Sequence, residues 1–373
     1  MVTIKEVLSK KDLKKWVDFP NQLYKDNPYY VPFLFSDEIA TFTKKTNPAY
    51  EFCETKLFLA YKDNKIVGRI AGLINHAANN KWNQNKIRFT RFDFIDDYEV
   101  SEALMNEVIQ WGKQKSYTEI MGPIGFTDMD HEGMLIEGFN ELNMSITFYN
   151  HPYYITHMEK LGFVKEVDWV EYQLSVPTTI DEKFQRITTR LLEHNNFSLI
   201  TYKKRSDLQK DANEAFKVID VAFSKLFGTV PLTDEVIKKT IADYIPIVNL
   251  KYLCSIKDKE GSIIAFAVLI PSIAKALKKS NGKLFPLGIF RMLKALNKQN
   301  DTLEMFLIGI KPEYQSKGIP AIIINHIAQV CQENNVKFLE TGPELEHNVA
   351  VQSMWKTFEA RHHKRRRCWN KEI

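Results

Sequence analysis

Two stretches of this chain hold residues whose types and spacing could do chemistry. The first is Ile310-Lys311-Pro312-Glu313-Tyr314-Gln315-Ser316-Lys317-Gly318-Ile319-Pro320-Ala321. A short loop with a glycine, running into a helix N-terminus, aims backbone amides and the helix dipole at one point, which suits a pyrophosphate. Gly318 offers no side chain to block close approach, and Lys317 adds a positive charge. An ordinary turn before a helix uses the same residue types. The second stretch is Phe126 to Gly133, where Asp128, Asp130, His131 and Glu132 put four titratable groups in five residues. Such groups cannot all be buried without pairing, so the segment is either a solvated turn or the lining of a polar site. Asp128 and His131 are the first choices for a role towards substrate. No metal is expected there, because the spacing matches no standard ligand set.

Charge gathers in two further places. From Pro271 to Asn300 there are seven basic residues and no acidic one, around Leu284, Phe285, Leu287, Phe290 and Leu293. One or two short amphipathic helices fit this pattern, as a solvated lid or as a peripheral membrane contact. The run Arg361-His362-His363-Lys364-Arg365-Arg366-Arg367 reads as a solvated basic edge, with an anionic substrate or RNA phosphates as the alternative.

The elements that must position these groups recur in two sets. Lys56–Tyr61 and Ile66–Ala71 flank a polar turn, as do Lys251–Ile256 and Ser262–Ala267, and both read as hairpins. A strand, a helix and a strand then follow in each set: Ile87–Phe94, Val100–Lys115 and Glu119–Pro123, then Leu303–Ile310, Pro320–Glu333 and Phe338–Pro343. Each triplet predicts a parallel crossover. Asn150 and Asn348 each precede a run rich in large side chains and read as helix caps. Three landmarks in one order predict a duplication, with domains at 1–178 and 179–373 meeting near Val176 to Glu182.

Composition bounds the class. The 373 residues, 44% hydrophobic and 12% aromatic, are enough for two packed cores. A net charge of +5 does not demand a nucleic-acid partner. Cys53, Cys254, Cys331 and Cys368 share no paired spacing and read as reduced thiols. No apolar signal core opens the chain, and the longest apolar stretch, Ile263 to Ile270, is short of a membrane span. A cytoplasmic protein is expected.

The loop, its upstream hairpin and its downstream Gly342-Pro343 strand resemble the Gcn5-related N-acetyltransferase superfamily. In that superfamily a Gln/Arg-x-x-Gly-x-Gly/Ala loop after the fourth strand holds the pyrophosphate of acetyl-CoA, and Gln315, Gly318 and Pro320 stand at its three key positions. The resemblance covers both copies. It implies an α/β (α+β) chain of two tandem acyl-CoA N-acyltransferase-like domains, each a mixed, mostly antiparallel sheet flanked by helices. It also implies acetyl-CoA or a longer acyl-CoA held by Ile308, Ile310, Gln315, Ser316, Lys317, Gly318, Ile319, Pro320, Asn348 and Trp355. Glu304, the carboxylate on the fourth strand of the second copy, becomes the candidate base for acyl transfer to a small-molecule amine. Pro320 departs from the pattern by removing one amide donor, and Trp355 stands where the family often carries an acidic Tyr. The equivalent stretch of the first copy, Phe94 to Ser101, has no glycine and three carboxylates, so it is not expected to bind CoA. Two other readings stay open: a transferase using aminoacyl-tRNA, similar to the peptidoglycan-bridge enzymes, and a non-catalytic tandem binding protein.

Overall fold

The turn Asp63-Asn64 sets the first hairpin, both residues adopting positive φ (51° and 59°), as a tight primed turn between twisted strands requires. It joins β2 (Cys53–Lys62) to β3 (Lys65–Asn75) in a computed structural model that describes residues 1–298 and 300–373, with side chains for all of these but residues 356 and 357. The first half also contains β1 (Thr3–Glu6), α1 (Lys10–Leu23), α2 (Phe35–Thr41), α3 (His76–Trp82) and β4 (Lys86–Phe94). It continues through α4 (Tyr98–Gln114), β5 (Glu119–Gly122), β6 (Met134–Glu137), α5 (Tyr153–Lys160) and β7 (Val164–Ser175). The second half opens with α6 (Glu182–Asn195), β8 (Ser198–Thr201), α7 (Arg205–Phe223) and α8 (Asp234–Tyr244). After β9 (Leu253–Lys257) and β10 (Ile263–Pro271) comes an arm of α9 (Ala274–Ser280) and α10 (Gly288–Asn297). β11 (Thr302–Ile310), α11 (Ile319–Glu333), β12 (Phe338–Thr341), β13 (Glu344–Leu345), α12 (Val349–Gln352) and β14 (Glu359–Glu372) complete it.

All strands belong to one sheet, in the order β1-β2-β3-β4-β5-β14-β7-β12-β11-β10-β9-β8, with β6 beside β14 and β13 beside β7. The pairings are antiparallel except β4 with β5 and β11 with β12. Those two are the crossovers expected of the strand–helix–strand triplets. α4 spans the first, burying Val100, Leu104, Val108 and Trp111 against β2 to β4, and α11 spans the second, burying Ile319, Ile322, Ile323 and Ile327. Gly68 lets α4 lie close to β3, since a Cβ there would stand 2.7 Å from Leu104 Cδ1.

The centre of the sheet is built by exchange. β14, from the second half, lies between β5 and β7 of the first, and β7 lies between β14 and β12. Each half is therefore closed by the long strand of the other.

Two expectations change and a third holds in part. The basic run is not a solvated edge: it lies in β14, mid-sheet, with His363, Lys364 and Arg366 buried. Asn150 does not cap α5, which begins at Tyr153 after Pro152 without a side-chain cap. Its buried amide instead bonds both backbone groups of Leu135, at 2.7 and 2.9 Å. Asn348 does cap, accepting from Val351 N at 3.4 Å, but its helix is one turn of α followed by a 3-10 turn. All four cysteines are free and buried, and no helix among the described residues is long and apolar enough to cross a membrane.

Candidate active site

β11 and β12 run in register from Thr302–Phe338 to Met305–Thr341, and then part: β12 ends while β11 continues alongside β10 to Ile310. Alternation along β11 sends Leu303 and Met305 into the second core and Glu304 to the opposite face. There Glu304, 3% exposed, meets both halves of the chain. Its Oε1 accepts from Ser272 Oγ at 2.7 Å and its Oε2 from Ser145 Oγ at 2.9 Å. Burial pushes its carboxyl up to about 7, with the neighbouring Glu340 carboxyl adding to the rise and the two serine donors opposing it. A carboxyl poised there can take a proton near neutral pH.

The carboxyls beside it continue as a buried charge ladder. Glu340 is the register partner of Glu304. Its Oε2 lies 3.8 Å from Lys364 Nζ, which lies 3.5 Å from Glu171 Oε2. Arg366 then bonds Glu171, the carbonyl of Phe148, and Asn143 Oδ1 at 2.9 Å. Burial raises Glu340, whereas at Glu171 the Arg366 and Lys364 charges outweigh burial and hold the carboxyl below its ordinary value. Burial and the Lys364 ammonium push His363 down to about 4. On the other side of the strand Arg365 and Arg367 pair with Asp168, and Arg361 pairs with Glu141. The basic run is thus matched by carboxylates along its length.

The loop into α11 brings a positive-φ glycine to the start of a helix. Gly318 is the N-cap, at φ 75°, and Pro320 is the second helical residue. The amides of Gly318, Ile319 and Ala321 have no protein acceptor among the described residues, and Gln315, Ser316 and Lys317 are exposed. The donors present suit a pyrophosphate, less the one that Pro320 removes. A Cβ at Gly318 would stand 2.7 Å from Leu191 Cδ1, so α6 packs directly over this turn. Ile308 is half-buried and Ile310 buried, on the stretch of β11 that runs past the split. Trp355 is buried, and its indole donates to Glu344 Oε1 at 2.7 Å.

The matching helix start in the first half is already filled. Asp97 caps α4 by accepting from Glu99 N at 3.1 Å, and takes Lys62 Nζ at 2.7 Å. Its carboxyl is held down chiefly by that lysine bond. A phosphate would meet a carboxylate where the second half offers free amides.

Asp128 and His131 face different surroundings. Asp128 is half-buried, its carboxyl raised by desolvation, near Lys81 and the backbone of Val230. His131 Nδ1 lies 3.2 Å from Asp130 Oδ1 and 3.3 Å from Arg91 Nη2, and its ring stands 4.0 Å from that of Phe33. Arg91 is itself clamped by Glu38 at 2.9 Å and Asp130 at 2.8 Å. Neither Asp128 nor His131 shares a partner with Glu304. The long segment from Gly122 to Asn150 meets the second half at several points and reaches Glu304 through Ser145, while Ile146 lies 4.0 Å from a Cβ built on Gly342. Ser145, Ser272, Glu340 and Lys364 carry no local sequence signal. Only the position of Ser272, directly after a predicted strand opposite Glu304, could have drawn notice.

Comparison with known proteins agrees with this architecture. No protein-family model matches the chain. It is 26% identical to Protein YghO of Escherichia coli (strain K12), over 99% of this chain and 95% of that protein. It is 22% identical to the bacterial ceramide synthase of Caulobacter vibrioides (strain NA1000 / CB15N), over 97% of this chain and 95% of that one. Among solved structures, a tandem Gcn5-related protein from the clavulanic acid biosynthesis pathway superposes with a TM-score of 0.56 at 10% identity, covering 100% of this chain and 98% of that one. A Gcn5-related N-acetyltransferase from Sphaerobacter thermophilus gives 0.50, also at 10% identity, covering 100% of this chain and 95% of that one. The duplicated crossovers, the split between β11 and β12, and these superpositions show that the chain has the tandem Gcn5-related N-acetyltransferase fold.

Proposed function

We propose that the protein is an N-acyltransferase that moves an acyl group from acyl-CoA to an amine, with the thioester held by the second half. The observation that carries this reading is Glu304: a buried carboxyl at the strand split, held by one serine from each half and raised to about 7. Acyl-CoA supplies an activated carbonyl carbon. The amine nitrogen bonds to that carbon, the carbon–sulfur bond breaks, and the sulfur leaves as thiolate and takes a proton. Glu304, in its ionised form, accepts the proton lost by the amine. The free amides of Gly318, Ile319 and Ala321 hold the pyrophosphate, with Lys317 beside it. The first half supplies Ser145 and the wall of the cleft.

The name of the Caulobacter relative supports a choice of acceptor. A ceramide is an amide of a fatty acid with a long-chain amino alcohol, so a lipid amine and a long acyl chain are the substrates proposed here.

Calorimetric titration with acetyl-CoA and a long-chain acyl-CoA tests the cofactor assignment. Gly318 is a poor probe, because any Cβ would strain a positive-φ residue and strike Leu191. Ser316→Glu combined with Lys317→Glu adds negative charge at exposed positions without that clash. Binding of about −8 kcal/mol, a micromolar affinity, that the double variant loses is the expected result. Equal binding by the variant, or none by the parent protein, removes the second-half site.

A further inference from the structure

The arm of α9 and α10 begins two residues after Ser272 and is fixed to the first half along its inner side. Ala274, Leu277 and Met292 pack against Val31, Leu34 and Leu142. Lys278 Nζ donates to the carbonyls of Asn27 at 2.6 Å and Tyr30 at 3.1 Å. The amide of Phe35 donates to the carbonyl of Gly282 at 2.9 Å. The outer side is different. Phe285 is 77% exposed, Leu287 56%, Phe290 67% and Leu293 48%. A single exposed leucine is ordinary, but four large apolar side chains gathered at one tip are not. Phe290 and Leu293 lie one turn apart on the outer face of α10, while Met292 and Leu296 point inward. Around them Lys279, Lys283, Arg291, Lys294 and Lys298 are exposed, and no acidic residue occurs from 271 to 300.

We infer that this arm seats on the surface of an anionic lipid bilayer, with Phe285, Leu287, Phe290 and Leu293 in the boundary between headgroups and acyl chains. The lysines and Arg291 meet the lipid phosphates around them. The combination selects a bilayer over other partners. A nucleic acid would leave the apolar tip in water. A second copy docking through the same patch would bring two lysine sets together. The base of the arm adjoins Leu142 and Ser272, so a bound bilayer lies close to the loop and the strand end that hold Glu304. The docking surface does not depend on the chemistry at Glu304.

Co-sedimentation with vesicles tests it. The parent protein should pellet with vesicles of phosphatidylglycerol mixed with phosphatidylcholine, less with phosphatidylcholine alone, and less in high salt. A Phe285→Ser, Phe290→Ser, Leu293→Ser variant should partition about tenfold less, with its melting temperature and acyl-CoA binding unchanged because all three side chains are exposed. Val221→Ser, at an exposed apolar position on α7, should bind vesicles as the parent does. The proposal is overturned if the parent protein stays in the supernatant with anionic vesicles, or if the triple variant pellets equally. It is also overturned if sedimentation velocity shows a dimer that the triple variant loses while vesicles bind neither protein; the patch then belongs to a second copy. Retained acyl-CoA binding in the triple variant keeps this result separate from the fate of the acyl-transfer reading.

Discussion

Ser145 donates to Glu304 at 2.9 Å across 159 positions of sequence, joining a loop of the first half to the central strand of the second. The candidate base thus belongs to neither half alone. Its acidity depends on a hydroxyl that a lone second half would not possess.

Replacing that hydroxyl should therefore move the pH profile. The Ser145 bond stabilises the ionised carboxylate, so Ser145→Ala makes Glu304 harder to ionise. The inflection in kcat against pH should move upward from about 7 by roughly half a pH unit, the worth of one modest hydrogen bond. An unmoved inflection would detach Glu304 from the profile.

Glu304→Gln should lower turnover on the order of a hundredfold or more while raising stability in alkali. The buried carboxyl titrates near 7 rather than at its ordinary 4.5. Between those values the folded state holds a proton that the unfolded state has lost, so stability falls as pH rises through that window. Above it the ionised form costs about 3 kcal/mol, which glutamine does not incur. Chemical denaturation at pH 5 and pH 8.5 reads the effect: the variant gains at the higher pH and not at the lower.

Arg366→Met should destabilise by about 3–5 kcal/mol, because Glu171 stays buried with only Lys364 near it. Arg366→Met combined with Glu171→Leu should recover part of that loss. Additive losses in the double variant would mean that the two side chains are not coupled.

Expressed separately, residues 1–178 and 179–373 should each fail to fold, since each lacks the strand that closes its sheet. Mixed during refolding, they should reassociate into one soluble complex. Two separately folded and monomeric pieces would contradict the exchange of β7 and β14.

Much of this frame was legible because it rests on local rules. The Asp63-Asn64 turn, the apolar alternation of the hairpins, and the faces of α4 and α11 all follow from neighbours in sequence. Gly318 before Pro320 marked a helix start for the same reason. The position of β14 was not legible. A run of arginine and lysine reads as exposed unless its partners are known, and Glu171, Glu340, Asp168 and Glu141 come from distant segments. The two asparagines show the same limit: Asn348 caps its helix, but His151 and Pro152 separate Asn150 from α5, and its amide is used by Leu135. Ser145 and Ser272 escaped for a related reason, since a lone serine becomes a ligand only through the strand that arrives opposite it.

The insertion of β14 between β5 and β7 also fixes when the protein can mature. Ribosomes deliver the flanking strands first and the strand that joins them long afterwards. Until it arrives, β5 and the face of β7 that it covers offer unpaired backbone to any passing chain. The nascent polypeptide must hold the middle of its sheet open while the residues between β7 and β14 are made, so a shielding chaperone is needed during that stretch of synthesis.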